Sequence, residues 1–212
     1  MKKINLSLLY QTLLDKLGPQ NWWPADSRVE ILLGAILVQN TSWSNVTRSL
    51  RRFSQKTDFI PENIRKLSLK EIESLIYSSG FYKGKARTIQ SAVDWFDSYN
   101  WDYENISNLY GNGLRRELLK IKGIGYETSD VILVYIFERS EFIADAYARR
   151  LFSWLCQKEY KTYDSLYKEV QLPEHFTPQD ANEFHALIDV FGKKYLKKDI
   201  KEIIPLNRED FY

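Results

Sequence analysis

Cysteine is the scarcest informative residue in this 212-residue sequence, with a single copy at Cys156. One thiol excludes an internal disulfide, a cysteine-built zinc site and a four-cysteine iron–sulfur cluster. Cys156 itself reads as a small buried hydrophobe. Charge of one sign is scarce too. Lys and Arg total 30 against 28 Asp and Glu, a net charge of +2, which does not by itself signal a polyanion binder. Any basic footprint must come from where the charges sit. No run approaches the ~18 apolar residues of a membrane span. The N-terminal MKKINLSLLYQTLLDKL is broken by Gln11, Asp15 and Lys16 and no small-residue cleavage site follows, so it does not read as an export signal. A cytoplasmic protein is the default expectation. No alternating run is long enough for a strand, and no repeat or low-complexity segment divides the chain.

What is present is apolar and aromatic. The 44% hydrophobic content is ample for a core and excludes disorder. The 6 Trp, 14 Tyr and 11 Phe are explained equally by core filling and by a stacking pocket for a planar ligand. Helical periodicity runs through nearly the whole chain. Leu6, Leu9, Leu13 and Leu17 share a face that Gly18-Pro19 ends, and Ser27 to Glu30 reads as a capping box opening the apolar run Val29–Val38. Thr41 or Ser42 caps a helix over 43–54, and Ser68 to Glu71 is a second capping box whose helix Gly80 closes. Further helices are expected over 84–98, 113–121, to 137, 145–157, 162–170 and 178–196.

The most informative stretch is Leu118-Leu-Lys-Ile-Lys-Gly-Ile-Gly-Tyr-Glu-Thr-Ser-Asp-Val-Ile-Leu-Val-Tyr135. Gly123 and Gly125 allow a tight turn between two helices and leave amide N–H groups uncovered at the start of the second. Such a terminus attracts anions, because free donors and the helix dipole act together. A phosphate held by backbone amides conveys no base sequence. A glycine pair alone would fit any helix–turn–helix connection. Here Leu118, Ile121 and Ile124 are placed to pack against Val131 and Val134.

With these flanks the sequence resembles the helix-hairpin-helix (endonuclease III-like) DNA glycosylase superfamily. Phe142-Ile-Ala-Asp145-Ala-Tyr-Ala-Arg-Arg150 follows its aspartate pattern, 20 residues past Gly125. Glu30-Ile-Leu-Leu-Gly-Ala-Ile-Leu-Val-Gln-Asn-Thr41 and Ser79-Gly-Phe-Tyr-Lys-Gly-Lys-Ala86 continue the likeness, which covers about residues 22–196. The resemblance implies an all-α, two-lobed fold with the active-site cleft between the lobes. Residues 25–135 would form the central lobe, with the hairpin at 114–137, and residues 1–24 and 138–212 the second.

It also implies that Asp145 is the catalytic carboxylate, stabilising oxocarbenium character as the glycosidic bond breaks; as a residue before a helix, Asp145 reads equally as an N-cap. Lyases of the superfamily carry a lysine two residues after the second glycine, where this chain has Glu127, so a monofunctional enzyme is implied. The four-cysteine cluster is missing where Phe191-Gly-Lys-Lys-Tyr-Leu-Lys-Lys198 stands, so no cofactor and no metal are expected.

Trp22-Trp23-Pro24 and Gln39-Asn-Thr-Ser-Trp43 are most similar to an iron–sulfur-free bacterial branch of 3-methyladenine DNA glycosylases. The likeness implies a base pocket from Trp22, Trp43, Trp23 and Pro24, with Gln39 filling the gap in the DNA stack and Lys193 nearby. Trp22 and Trp23 are equally readable as the lid of a small core. DNA contacts are expected from Lys122, Gly123, Ile124, Gly125 and Tyr126, with Lys83, Lys85 and Arg149 neutralising phosphates. The expected partner is double-stranded DNA with a damaged base, bound by a monomer in the bacterial cytoplasm, without membrane contact. Oxidised or mismatched pyrimidines, or noncatalytic DNA binding, are the alternatives.

Overall fold

A computed structural model describes residues 4–23, 25–196 and 204–212. Among these residues the regular structure is entirely helical. Contacts divide the chain into two units, Ala25–Phe137 and the combination of Met1–Pro24 with Glu138–Tyr212.

The first unit runs through eight helices: α2 (Arg28–Leu37), α3 (Trp43–Thr57), α4 (Pro61–Arg65), α5 (Leu69–Ile76), α6 (Tyr82–Asp97), α7 (Tyr103–Tyr110), α8 (Leu114–Leu118) and α9 (Tyr126–Tyr135). Their inward-facing apolar residues, among them Leu33, Leu37, Phe53, Ile76, Ile89, Phe96, Leu118 and Ile132, close one core. The second unit packs α1 (Leu6–Leu17) and α10 (Ala146–Cys156) on α12 (Pro178–Tyr195), with α11 (Tyr163–Tyr167) beside α10. Leu9, Leu13, Leu151, Phe152, Phe184, Leu187 and Phe191 form its core.

The helix ends follow their side chains. Ser68 and Glu71 form the reciprocal box anticipated for α5, and Thr177 with Asp180 and Thr162 with Ser165 form two more. At α2 the box is offset. Ser27 accepts from the Glu30 amide, but the Glu30 carboxylate reaches back to the amide of Asp26. Helices α4 and α7 escape a reading by periodicity because each buries one side chain, Ile64 and Ile106 respectively. Helix α6 begins at Tyr82 rather than 84, where Phe81 turns left-handed at φ 47°.

The hairpin between α8 and α9 is tighter than its sequence suggests. Gly123 sits at φ +93°, and a Cβ there would lie 1.9 Å from Thr88 Oγ1. Gly125, at φ −97°, has open space around it. The two glycines therefore do different work: Gly123 permits the turn, and Gly125 leaves the start of α9 without a side-chain cap. Leu118, Ile121 and Ile124 share their cluster with Ile132, Leu133 and Ile136 of α9, and Val131 and Val134 are buried as well.

Candidate active site and DNA-binding hairpin

In the unit formed by residues 1–24 and 138–212, Asp145 is the N-cap of α10. Its Oδ1 accepts from the Ala148 amide at 2.7 Å. The cap and the candidate catalytic group are thus one carboxylate, fixed by the helix it starts. Gly192 brings α12 close enough to matter: a Cβ there would lie 2.5 Å from the Tyr147 ring, so glycine is what allows α12 to pass the first turn of α10.

Helix α12 then aligns His185, Asp189 and Lys193 at intervals of four, on one face. His185 Nε2 lies 4.0 Å from Asp145 Oδ2. Lys193 Nζ donates to Asp189 Oδ2 at 2.5 Å and stands 5.4 Å from the centre of the Trp22 ring. Trp22 stacks on Trp23 at 5.6 Å and on His185 at 5.8 Å. Trp22, Trp23, Asp145 and Lys193, anticipated from sequence, are therefore brought together through His185 and Asp189, which were not. Their signal was the spacing 185–189–193 of a histidine, an acid and a lysine on a single helix face.

Burial sets the protonation of this group. The Asp145 side chain is 13% exposed, and loss of water pushes its carboxyl up to about 6, with the Asp189 charge adding to the rise and the Ala148 amide opposing it. His185 is pushed down to about 4, chiefly by burial. At neutral pH the cluster thus holds a carboxylate at Asp145, a neutral imidazole, and the Asp189–Lys193 pair. If Asp145 works as a carboxylate, the excision rate should fall as pH drops through about 6; a single-turnover pH profile flat from 5 to 8 would contradict it. Stability is a poorer readout. Asp145 binds its proton more tightly folded than unfolded, so it costs stability as pH rises from about 4 to about 6. His185 acts oppositely: its folded imidazole stays neutral while the unfolded one takes up a proton, so stability is lost as pH falls from 6.5 towards 4.

The other unit carries the hairpin. Lys122, Gly123, Gly125 and Tyr126 are exposed, whereas the Ile124 side chain is buried and can offer only backbone. Gln39, just past α2, directs its amide at the first turn of α9, donating to Thr128 Oγ1 at 3.3 Å and Glu127 Oε1 at 3.5 Å. Arg115 grips Asp130 of α9 with two hydrogen bonds, 2.6 and 2.8 Å, and its guanidinium lies 5.2 Å from the Tyr126 ring centre. Trp43 begins α3 and packs against that unit's core.

The basic residues divide. Lys83 is exposed. Lys85 is corrected: it is buried and donates to the carbonyls of Leu37 and Ser79, because α6 turns it inward between two helix ends rather than toward solvent. Arg149 donates to the carbonyls of Lys161 and Asp145. Pro24 lies outside the described residues. Cys156, the one cysteine, is in α10, and residues 191–196 carry α12 to its end with no thiolate, so the residues present do not fit a four-cysteine cluster.

One unit thus presents a helix start with no side-chain cap, and the other a half-buried carboxylate next to His185, on which Trp22 stacks. Comparison with known proteins identifies the class. Residues 33–174 match the model of the HhH-GPD superfamily base excision DNA repair proteins. The chain is 38% identical over 198 residues to MJ1434 of Methanocaldococcus jannaschii, provisionally named a DNA repair glycosylase, covering 90% of this chain and 88% of that protein. It is similar to the crystal structure of the Helicobacter pylori 3-methyladenine DNA glycosylase MagIII bound to 1,N6-ethenoadenine, with 28% identity, 91% and 96% coverage and a TM-score of 0.69. A trapped endonuclease III–DNA covalent intermediate shares the fold alone, at 19% identity, 97% and 93% coverage and a TM-score of 0.77. The chain belongs to the HhH-GPD superfamily of base excision DNA repair proteins. It is a DNA-binding DNA glycosylase, and none of its described helices is long and apolar enough to cross a membrane.

Proposed function

We propose that this glycosylase excises alkylated purines such as 3-methyladenine from duplex DNA, as a monomer, without cutting the strand and without an iron–sulfur cluster. The observation that carries the substrate class is the surroundings of Trp22. An indole stacked on a second indole and on a neutral imidazole suits a flat, electron-poor ring. Two carboxyl groups, Asp145 and Asp189, stand here against the single amine of Lys193, a balance that favours a cationic base. N-alkylation also weakens the glycosidic bond, so departure needs little protonation of the leaving base.

Asp145 then has two tasks: to stabilise positive charge on the sugar and to orient the attacking water. Its raised carboxyl still ionises at neutral pH. The start of α9, which has no side-chain cap, holds a phosphate through its backbone irrespective of sequence, and Gln39 occupies the gap left by the flipped base. Strand cleavage by β-elimination needs an amine on the sugar. Glu127 stands at the hairpin position where lyases carry that amine, and it accepts from the Gln39 amide.

The reading is tested by incubating the purified chain with methylated duplex DNA, identifying released bases by mass spectrometry, and adding borohydride to a parallel reaction. Free methylpurines, an intact strand with an abasic site, no trapped covalent adduct and no stoichiometric iron are expected. Release of oxidised or mismatched pyrimidines alone, or a borohydride-trapped complex, would replace this reading.

The hairpin has its own test. Gly125→Ala, at an unstrained φ with open space, should fold normally yet weaken binding to damaged and undamaged duplexes alike. Gly123→Ala should instead destabilise the protein by about 2–4 kcal/mol through backbone strain and overlap with Thr88. Filter binding and thermal melts distinguish the two, and a Gly125→Ala protein with full affinity would remove the hairpin from the DNA contact.

A further inference from the structure

Lys85 is the one lysine of the motif Ser79–Ala86 that the DNA surface does not account for. It lies in the first turn of α6 and is 7% exposed. Its Nζ donates to Leu37 O at 2.8 Å and to Ser79 O at 2.7 Å. Leu37 is the last residue of α2, and Ser79 the last of the short 3-10 turn Tyr77–Ser79. Carbonyls at such ends lack intrahelical partners and carry the negative end of the dipole, so one cation closes two of them. Desolvation lowers the ammonium's pKa to about 8. An apolar side chain of the same length would fill the space without that cost, but it would leave both carbonyls without this donor.

Each tied carbonyl leads directly into a residue that faces the hairpin. Beyond Leu37 come Val38 and Gln39; beyond Ser79 come Gly80 and Phe81. Gln39 and Phe81 line one cavity of about 230 Å³ together with Lys85, Thr88, Gly123 and Thr128. Gln39 is hydrogen-bonded to the start of α9. Phe81 is 77% exposed and held left-handed, an apolar ring of the kind that enters an opened base stack.

We propose that Lys85 is a positioning residue whose ammonium ties the ends of α2 and of the 77–79 turn together, so that Gln39 and Phe81 stand ready beside the hairpin to hold the duplex open. It acts through those two side chains and touches neither the sugar nor the damaged base. The proposal rests on the proposed function of the chain, in which Gln39 fills the gap left by the flipped base.

The test is Lys85→Met, which keeps the length and removes every donor, made in the full chain. Hydrogen–deuterium exchange should rise in residues 38–41 and 79–82 and stay unchanged in α10 and α12. Single-turnover release of a methylated purine should slow about tenfold or more from a fully paired duplex, by misplacement of the side chains that hold it open. The same purine in an unpaired bubble should be released within about threefold of the wild-type rate, since the opening is already made. Lys85→Arg, which keeps charge and donors, should recover most of the duplex rate, and Lys85→Gln, which loses the charge and cannot reach both carbonyls, carries the duplex–bubble and exchange comparisons should the methionine protein not fold. Equal losses on duplex and bubble, or unchanged exchange in both segments, overturn the proposal. If the wild-type chain releases no base from either substrate, the functional reading has failed instead, and the exchange measurement alone decides whether Lys85 holds the two segments.

Discussion

Asp145→Asn is expected to slow single-turnover excision by about 10²–10³-fold, the range for removing one preorganised electrostatic stabiliser, while the protein melts no lower than wild type. The two halves come from the same atoms. Asp145 Oδ1 caps α10 through the Ala148 amide, and asparagine caps equally well, so the helix start is retained. Burial already disfavours the charged form, raising the carboxyl to about 6, so a neutral amide removes a desolvation penalty at pH 7 and should leave stability unchanged or improved. What is lost is the negative charge facing a developing cation. Affinity for undamaged duplex should persist, because the phosphate contacts assigned to the hairpin are backbone groups. An Asp145→Asn enzyme with near wild-type excision would move catalysis elsewhere. A melt lowered by several degrees would show the carboxylate to be chiefly a structural cap.

Arg115→Met should lower stability by about 3 kcal/mol, the low end of the range for breaking a buried pair, and the melting temperature by roughly 10 °C for a chain of this size. Asp130 has no solvent exposure, and Arg115 contributes a bidentate, charge-assisted pair to it. The bond links α8 to α9 across the glycine turn, so its loss also loosens the platform for Gly125 and Tyr126. Asp130→Asn in the same background should restore part of the loss by removing the buried charge, and the double-mutant cycle measures the coupling. A loss under about 1 kcal/mol would class the pair with exposed ion pairs.

Much of this was legible in the residues. Periodic apolar residues forecast α1 and α2, the Ser68 capping box forecast α5, and Ser68 and Thr177 start their helices by local bonding that needs no tertiary partner. The hairpin and Asp145 stood out because turn chemistry and capping act over three or four residues. Elsewhere local reasoning ran out. Lys85 looks like any lysine in a basic segment, yet whether it meets phosphate or carbonyl depends on where α2 and the 77–79 turn end in space. Gly123 and Gly125 look alike until Thr88, 35 positions away in sequence, closes over one of them.

By itself, then, the sequence determined the helical class, the glycine turn with its bare helix start, the carboxylate that caps α10, and the lack of thiolates for a cluster. Each of these comes from composition or from contacts within a single helical turn. Only the tertiary structure decided that Trp22 stacks on His185, that Asp145 is desolvated enough for its carboxyl to be pushed up to about 6, and that Lys85 points inward. Burial and pairing depend on which helix faces meet, and residues 22, 145 and 185 come together only once α10 and α12 have packed.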